Sequence, residues 1–273
     1  MDNLMLTATQ MIARESQRVE VSANNIANVA TPGFKRELAF HSVLGAQAAQ
    51  QLQQQALDAA AGVAPGIAPE AELREGAAQA PAASRAVRRA TDFAAGKLQH
   101  TGNPYDLSVT GPGFLQLATE RGFVYARTAA LHRDGEGRLV TAQGWRLQAA
   151  GGGDVTVSGE DWKLERDGTV VDAGNPASAV RLVEFEQLQG LTRAGGNAFA
   201  APSDARMSER LPGTQGAALA SAVQQGYLEA ANVSVGDDMV QIMEAMRRIE
   251  SAQKLVHAYD DMVGSALQRL GGM

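Results

Sequence analysis

Apolar residues recur every seven positions near both ends of the chain, and these two stretches frame a middle with a different rhythm. Between Asp237 and Leu270, the residues Ile242, Ile249, Val256, Val263 and Leu270 are seven apart, with Ala245, Ala252, Tyr259 and Ala266 offset by three. On a helix this spacing makes a narrow apolar seam of the coiled-coil kind. One long helix is therefore predicted, roughly 50 Å at about 1.5 Å per residue. Ser234, Asp237 and Asp238 stand at its start, where a capping side chain and negative charge are favourable. The first helix follows the same rule. Met5, Ile12, Val19 and Ile26 recur at seven, and the small residues Thr9, Ser16 and Ala23 come four positions on. Either stripe alone would suit an ordinary amphipathic helix. Two of them, flanking a different domain, are most simply buried against each other and then against neighbouring copies.

Helix one ends in the run Ser22-Ala-Asn-Asn-Ile-Ala-Asn-Val-Ala-Thr-Pro-Gly-Phe34-Lys-Arg. Asn24, Asn25 and Asn28 are weak helix formers whose amides bond readily to nearby backbone. Pro32 drives Thr31 out of the helical region, and Gly33 accepts a turn of either hand. These residues predict a helix stop, an amide-lined bend and an aromatic anchor at Phe34.

Between Thr91 and about Phe199 short strands alternate with turn residues every 8 to 12 positions. Expected strands are Tyr105–Thr110, Phe114–Thr119, Phe123–Arg127, Arg138–Thr141, Trp145–Ala149, Asp154–Ser158, Thr169–Val171 and Val180–Phe185. Asp134-Gly-Glu-Gly137 and Arg166-Asp-Gly-Thr169 are hairpin-turn signals. An antiparallel β domain of sandwich or barrel type is expected. Residues 45–90 are rich in Ala and Gln, then in Ala, Pro and Gly, and read as a bridge in which 47–61 can be helical. The fold class is thus α+β. The expected divisions are 1–44 for the N-terminal helix and its turn, 45–90 for the bridge, 91–215 for the β domain and 216–273 for the C-terminal helix.

Composition narrows what such a protein can do. The net charge of −6 and a pI near 5.3 argue against a nucleic-acid partner, which would need a basic stripe. The absence of cysteine removes disulfides and thiolate chemistry. Met1 to Ala30 has no secretory-signal pattern, and no stretch reaches the ~20 apolar residues of a membrane helix. Histidines stand only at 41, 100, 132 and 257, with no metal-ligand spacing. Gly111-Pro-Gly113 and Gly151-Gly-Gly153 lack the pattern of a phosphate loop and read as turns. Glu160-Asp161 and Asp260-Asp261 read as solvated surface, and no Gly-x-Ser-x-Gly elbow occurs. No catalytic residue, metal, cofactor or small-molecule substrate is expected. The competing reading is an enzyme or sugar-binding module using a cleft in the β domain, which would require a polar cluster within 100–200.

The run Asn24-Asn-Ile-Ala-Asn-Val-Ala-Thr-Pro-Gly-Phe34-Lys-Arg closely resembles the N-terminal signature of flagellar rod and hook proteins, the axial family that includes proximal rod, distal rod and hook. Thr101-Gly-Asn-Pro-Tyr-Asp-Leu-Ser-Val-Thr-Gly-Pro-Gly-Phe114 is similar to the entry of that family's β domain, as are Tyr125-Ala-Arg127 and Gly137-Arg-Leu-Val-Thr-Ala-Gln-Gly144. Gln225-Gly-Tyr-Leu-Glu-Ala-Ala-Asn-Val233 resembles its C-terminal signature. Departures from the pattern stand at Leu115, Ala129, Leu131 and Ala231. The resemblance implies a self-assembling structural subunit whose terminal helices form an axial core with the β domain outside. It implies Asn24, Asn25, Ile26, Asn28, Thr31, Pro32, Gly33 and Phe34 as an assembly signature. The seam at Met5, Ile12, Val19, Ile242, Ile249, Val256, Val263 and Leu270 would be the packing surface. Implied partners are copies of itself, other rod and hook axial proteins, and the flagellar type III export apparatus, which would send the chain out uncleaved into a rod crossing the periplasm. The Met-Asp start with Leu6-Thr7-Ala8 resembles the proximal-rod branch, while Gln225-Gly-Tyr-Leu-Glu is at least as near to the distal.

Overall fold

The structure, a computed structural model, describes residues 2–40, 88–159, 161–210 and 221–271. The chain is α+β: a helix α1 (Asp2–Ala27), an antiparallel β region, and a closing helix α2 (Val235–Gly271). Both helices form where the heptads place them, and Ser234 precedes α2 with its carbonyl accepting the Asp238 N–H at 3.0 Å. Most of the expected bridge lies outside the described residues, including its helical stretch 47–61. The chain divides into two compact units. One takes the described parts of Met1–Val21, Leu38–Ala90 and Ile242–Met273, and the other takes Ser22–Glu37 with Thr91–Gln241.

Two short pairings belong to the strands nearest the helices. β1 (Glu37–Phe40) pairs with β2 (Arg88–Thr91), and β3 (Leu98–His100) pairs with β18 (Tyr227–Glu229) in register Glu229↔Leu98.

In the second unit the main sheet grows from hairpins. β4 (Asp106–Thr110), β5 (Phe114–Thr119), β6 (Gly122–Ala126), β7 (Thr128–Arg133), β8 (Leu139–Thr141) and β9 (Arg146–Leu147) lie at or within a residue or so of the expected strands, except β7, which the pattern did not signal. β5 pairs with β6 along its whole length, from Leu115↔Ala126 to Thr119↔Gly122. Its other edge is shared between β9 and β13 (Leu182–Phe185). The turn at Asp134–Gly137 joins β7 to β8, and Arg166–Thr169 joins β10 (Lys163–Leu164) to β11 (Thr169–Asp172). Asp154–Ser158 forms only isolated bridges at Asp154 and Thr156. It comes after Gly152 and Gly153, both in the left-handed region, yet still buries Val155 and Val157.

Later strands complete the sheet: β14 (Thr192–Gly195), β15 (Ala198–Ala200), β16 (Met207–Arg210) and β17 (Ala222–Gln225). Among the described residues its path runs β14-β15-β6-β5-β9-β8-β7-β4-β17, with β16 added through β13. Period-two alternation sends its side chains to two cores. Leu115, Leu117, Val124, Ala126, Leu182 and Ala198 enter the larger one, with Leu107, Leu139, Leu147 and Trp162. Their strand neighbours Phe114, Tyr125, Val183 and Phe199 enter a second, aromatic core with Phe93 and Phe185. Its rings meet mostly edge to face, as at Tyr125–Phe185 with centroids 4.8 Å apart, the arrangement that aromatic quadrupoles favour.

Candidate functional site

The bend after α1 is tied down by its own asparagines. Asn25, almost wholly buried, accepts the Glu37 N–H at 2.9 Å and donates to the Glu37 carbonyl at 2.9 Å, so its amide behaves like one more strand residue. Asn28 donates to the Asn24 carbonyl at 2.9 Å and to the Asn24 side chain at 3.1 Å, covering acceptors that the last turn leaves open. Thr31 Oγ1 lies 3.4 Å from Asn28 Oδ1, and Pro32 is exposed. Gly33 has φ +73°, and a Cβ there would lie 2.5 Å from Thr128 Cγ2. Its N–H donates to the Glu229 carbonyl at 2.6 Å. Phe34 is buried, with the Arg193 guanidinium 4.4 Å over its ring.

Beyond Phe34 comes a buried charge cluster. Lys35 Nζ stands 2.6 Å from Glu229 Oε1 and donates to the Ala94 carbonyl at 2.8 Å. The same Glu229 oxygen accepts the Gly96 N–H at 2.7 Å, and Oε2 lies 3.4 Å from Arg127 Nε. Arg127 spends its remaining donors on carbonyls: Gly113 at 2.6 Å, Val109 at 3.1 Å, and Gly111. Burial pushes the Lys35 ammonium below the ordinary lysine range, against the opposing pull of Glu229. Every partner of Lys35 is an acceptor, as the charged form requires. A Cβ at Gly96 would lie 2.0 Å from the Ala230 carbonyl oxygen, so only glycine lets its backbone come this close to the C-terminal segment.

The cluster extends to the base of α2. Asn232 Oδ1 accepts the Arg36 N–H at 2.6 Å, and its amide donates to the carbonyls of Asp92 at 2.9 Å and Ala94 at 3.1 Å. Arg36 Nη2 reaches Asp238 Oδ1 at 3.0 Å, and Arg193 Nε lies 2.6 Å from Glu37 Oε1. Three segments far apart in sequence therefore meet in one polar knot, buried at Lys35, Arg127, Glu229 and Asp238. Such knots define geometry more than they add stability, because each buried charge must first be desolvated.

Sequence reasoning found the asparagine bend, Gly33 and Phe34, and placed Asp238 only at the start of the C-terminal helix, but did not single out Lys35, Arg127, Glu229 or Asn232. The available signal was opposite charges beside apolar or aromatic residues, as in Phe34-Lys35, Tyr125-Ala-Arg127 and Tyr227-Leu-Glu229. It carries no pairing information across the 194 residues that separate Lys35 from Glu229.

In the first unit the two helices run side by side. Thr7, Ala8 and Met11 share an apolar groove of about 420 Å³ with Ser251, Ala252 and Leu255, and Glu15 Oε1 lies 3.5 Å from Arg248 Nη1. Rising numbers on α1 face falling numbers on α2, so the pair is antiparallel. On α2 the seam is the covered stripe: Ala245 and Ala252 are buried, and Ile242, Ile249, Val256, Tyr259 and Val263 are partly so. On α1, Met5, Ile12, Val19 and Ile26 are partly covered. The companion row lies three positions on, at buried Ala8, Glu15 and Ser22, and Thr9, Ser16 and Ala23 are exposed. The stripe thus has the a/d spacing on both helices. The side chain of Leu270 lies outside the described residues.

Nothing in either place has the layout of a reaction centre. Among the described residues no group of three His, Asp or Glu is placed to hold a metal. A cleft of about 870 Å³ between Phe123, Trp145, Arg121 and Arg146 contains no nucleophile–base pair. What the geometry defines is a scaffold whose N-terminal, β and C-terminal segments are locked into one another.

Comparison with known proteins agrees segment by segment. Residues 5–35 match the family model of flagella basal body rod proteins, 108–173 that of the flagellar hook protein FlgE/F/G D1 domain, and 224–269 that of the flagellar basal body rod FlgEFG protein C-terminal region. Each matched segment supplies one charge of the buried cluster: Lys35, Arg127 and Glu229. The chain is 29% identical over 276 residues to the flagellar basal-body rod protein FlgG of Agrobacterium fabrum, covering 98% of both chains. It is 26% identical over 273 residues to the rod protein FlgF of Caulobacter vibrioides, covering 99% of each. It is 26% identical over 261 residues to FlgG of Bacillus subtilis, covering 90% of each. The chain belongs to the flagellar basal-body rod protein family, whose members are structural proteins and not enzymes.

Proposed function

We propose that this protein is a self-assembling subunit of the flagellar rod that builds the axial core with α1 and α2 packed in coiled-coil fashion. The observation that carries the reading is the surplus of apolar surface on α2. Its seam already faces inward, yet Met239, Val240, Met243, Met246 and Met262 are 49–68% exposed on its other sides. A helix apolar on more than its internal stripe has surface to give to neighbours. The outer β domain, 91–215, is then braced at its root by the Lys35–Glu229–Arg127 knot. Family membership implies assembly with other axial proteins in the basal body. Export through the flagellar type III apparatus without a cleaved signal peptide completes the proposal.

Within the family we favour the proximal rod position, FlgF type, on the Met-Asp start with Leu6-Thr7-Ala8. The distal position, FlgG type, is favoured instead by Gln225-Gly-Tyr-Leu-Glu229, and relatives of both names match at about the same identity. The test of the assembly reading is Ile249→Asp. A charge in a dry seam costs several kcal/mol, on the order of the 3–5 found for unpaired buried charges. Rods and swimming should be lost while the β domain melts normally. Normal rods from this variant would remove the seam from the mechanism.

A further inference from the structure

The apolar seam joining α1 to α2 cannot by itself exclude every shifted alignment of the two helices. Ile242, Ile249, Val256 and Val263 repeat at seven, as do Ala245 and Ala252. A slide of one heptad toward Gln241, about 10 Å along the axis, exchanges valine for isoleucine and alanine for alanine, whereas the opposite slide brings Tyr259 to the place of Ala252. The facing stripe on α1 is as uniform, with Met5, Ile12, Val19 and Ile26, and with Ala8 and Ser22 between them. On α1 one position breaks the repeat. Glu15 occupies the seam row between Ala8 and Ser22 and is only 6% exposed.

Its carboxylate has two cationic partners. Arg18 Nη1, on the same helix, lies 3.3 Å from Oε2. Arg248 Nη1, on α2, lies 3.5 Å from Oε1, and the other end of that guanidinium reaches Glu244 at 3.6 Å. In the antiparallel pair a one-heptad slide would set Glu15 against Leu255 or Gln241 in place of Arg248. Either exchange leaves a nearly buried carboxylate without its cross-helix cation, a penalty the apolar residues do not feel.

We propose that Glu15 fixes the register of the α1–α2 pair through Arg248, acting as the charged seam residue of α1 that distinguishes one alignment from its heptad-shifted alternatives. The role of the pair in assembly rests on the function proposed above, but the register itself is a property of one chain. An off-register pair would displace the exposed methionines of α2 by a heptad relative to α1, so a subunit with the wrong alignment would present a mismatched surface to the next.

The chain has no cysteine, so register can be read by cross-linking introduced thiols in the full-length protein. Ala8→Cys with Ala252→Cys places both thiols on the groove that these residues share, and Ala8→Cys with Ala245→Cys reports a one-heptad slide. With a short bis-maleimide, the first pair should cross-link and the second should give little product. Adding Glu15→Leu should cut the first product several-fold and raise the second, with far-UV circular dichroism unchanged. Glu15→Arg with Arg248→Glu should restore the original pattern, and Arg18→Ala should leave it alone. An unchanged pattern in Glu15→Leu would overturn the proposal, as would loss of both products, since a missing lock leaves the helices docked in more than one alignment. Rod recovery is scored separately. Slipped register with normal rods would count against the assembly reading and not against the lock.

Discussion

Replacing Glu229 by Gln changes one charge and almost no volume, at the point where three distant segments meet. The amide can still accept the Gly96 N–H, and the Glu229 main-chain bonds to Gly33 and β3 are untouched. What is lost is the counter-charge of Lys35 at 2.6 Å and of Arg127 at 3.4 Å. Arg127 keeps three carbonyl acceptors, whereas Lys35 keeps the Ala94 carbonyl and a neutral amide oxygen but no anion, so the loss of counter-charge falls mainly on Lys35. Removing one partner of a buried pair costs about 3–5 kcal/mol. At about 2–4 °C per kcal/mol for a unit of this size, Tm should fall by roughly 6–20 °C. Both tryptophans, Trp145 and Trp162, lie in the β unit, so intrinsic fluorescence tracks that unit alone. Glu209→Gln, which removes the more exposed pair with Arg181 at 2.8 Å, should cost no more than about 1 kcal/mol. Adding Lys35→Met to Glu229→Gln should recover part of the loss, because the orphaned cation is gone. A Tm within about 3 °C of the parent for Glu229→Gln, or strictly additive effects in the double variant, would refute the claim that these charges depend on one another.

The same geometry yields three further outcomes. Gly33→Ala places a Cβ 2.5 Å from Thr128 Cγ2 at a φ of +73°, and should lower the stability of the β unit by about 1–3 kcal/mol in urea unfolding. Burial raises the Tyr125 phenol above its ordinary pKa, so its contribution is complete below about pH 10 and is lost as pH rises through the raised value. Tyr125→Phe should therefore gain on the parent along the alkaline limb of a stability–pH curve and run parallel to it at neutral pH, and parallel curves throughout would rule this out. Hydrogen exchange on dilute monomer should open α1 and α2 well before β5 and β6, because the helices bury one stripe while the strands bury both faces; equal protection would contradict it.

Much of this architecture was legible in the residues, for identifiable reasons. The helices were visible because a heptad is a long-range pattern, sustained here over four or five repeats at both ends of the chain. β5 was found end to end at Phe114–Thr119 because alternation there is bounded by Gly113 and by the turn at Glu120–Arg121. β7 was missed because Thr128-Ala-Ala-Leu-His-Arg133 alternates weakly. β12 (Asn175–Ala179) was missed because Asn-Pro-Ala-Ser-Ala has little β propensity and is held by its partner β11. The bend at Asn24–Gly33 was legible because glycine, proline and asparagine act locally. The charge knot was not, since its logic is pairing across the whole chain, and a lone Lys35 or Glu229 reads as solvated surface. On α1 the second seam row was read one residue late, because the small residues at 9, 16 and 23 hid a glutamate standing at a buried position.

The central proposal is that the terminal helices form the inner layer of the rod and the β domain the outer one. A cryo-EM map of intact basal bodies from cells producing this protein tests it directly. Density for α1 and α2 should line the axis, with the methionine-bearing sides of α2 against adjacent subunits and the β sheet facing outward. A map with the β domain at the axis, or with α1 and α2 on the outer surface clear of all neighbours, would contradict it.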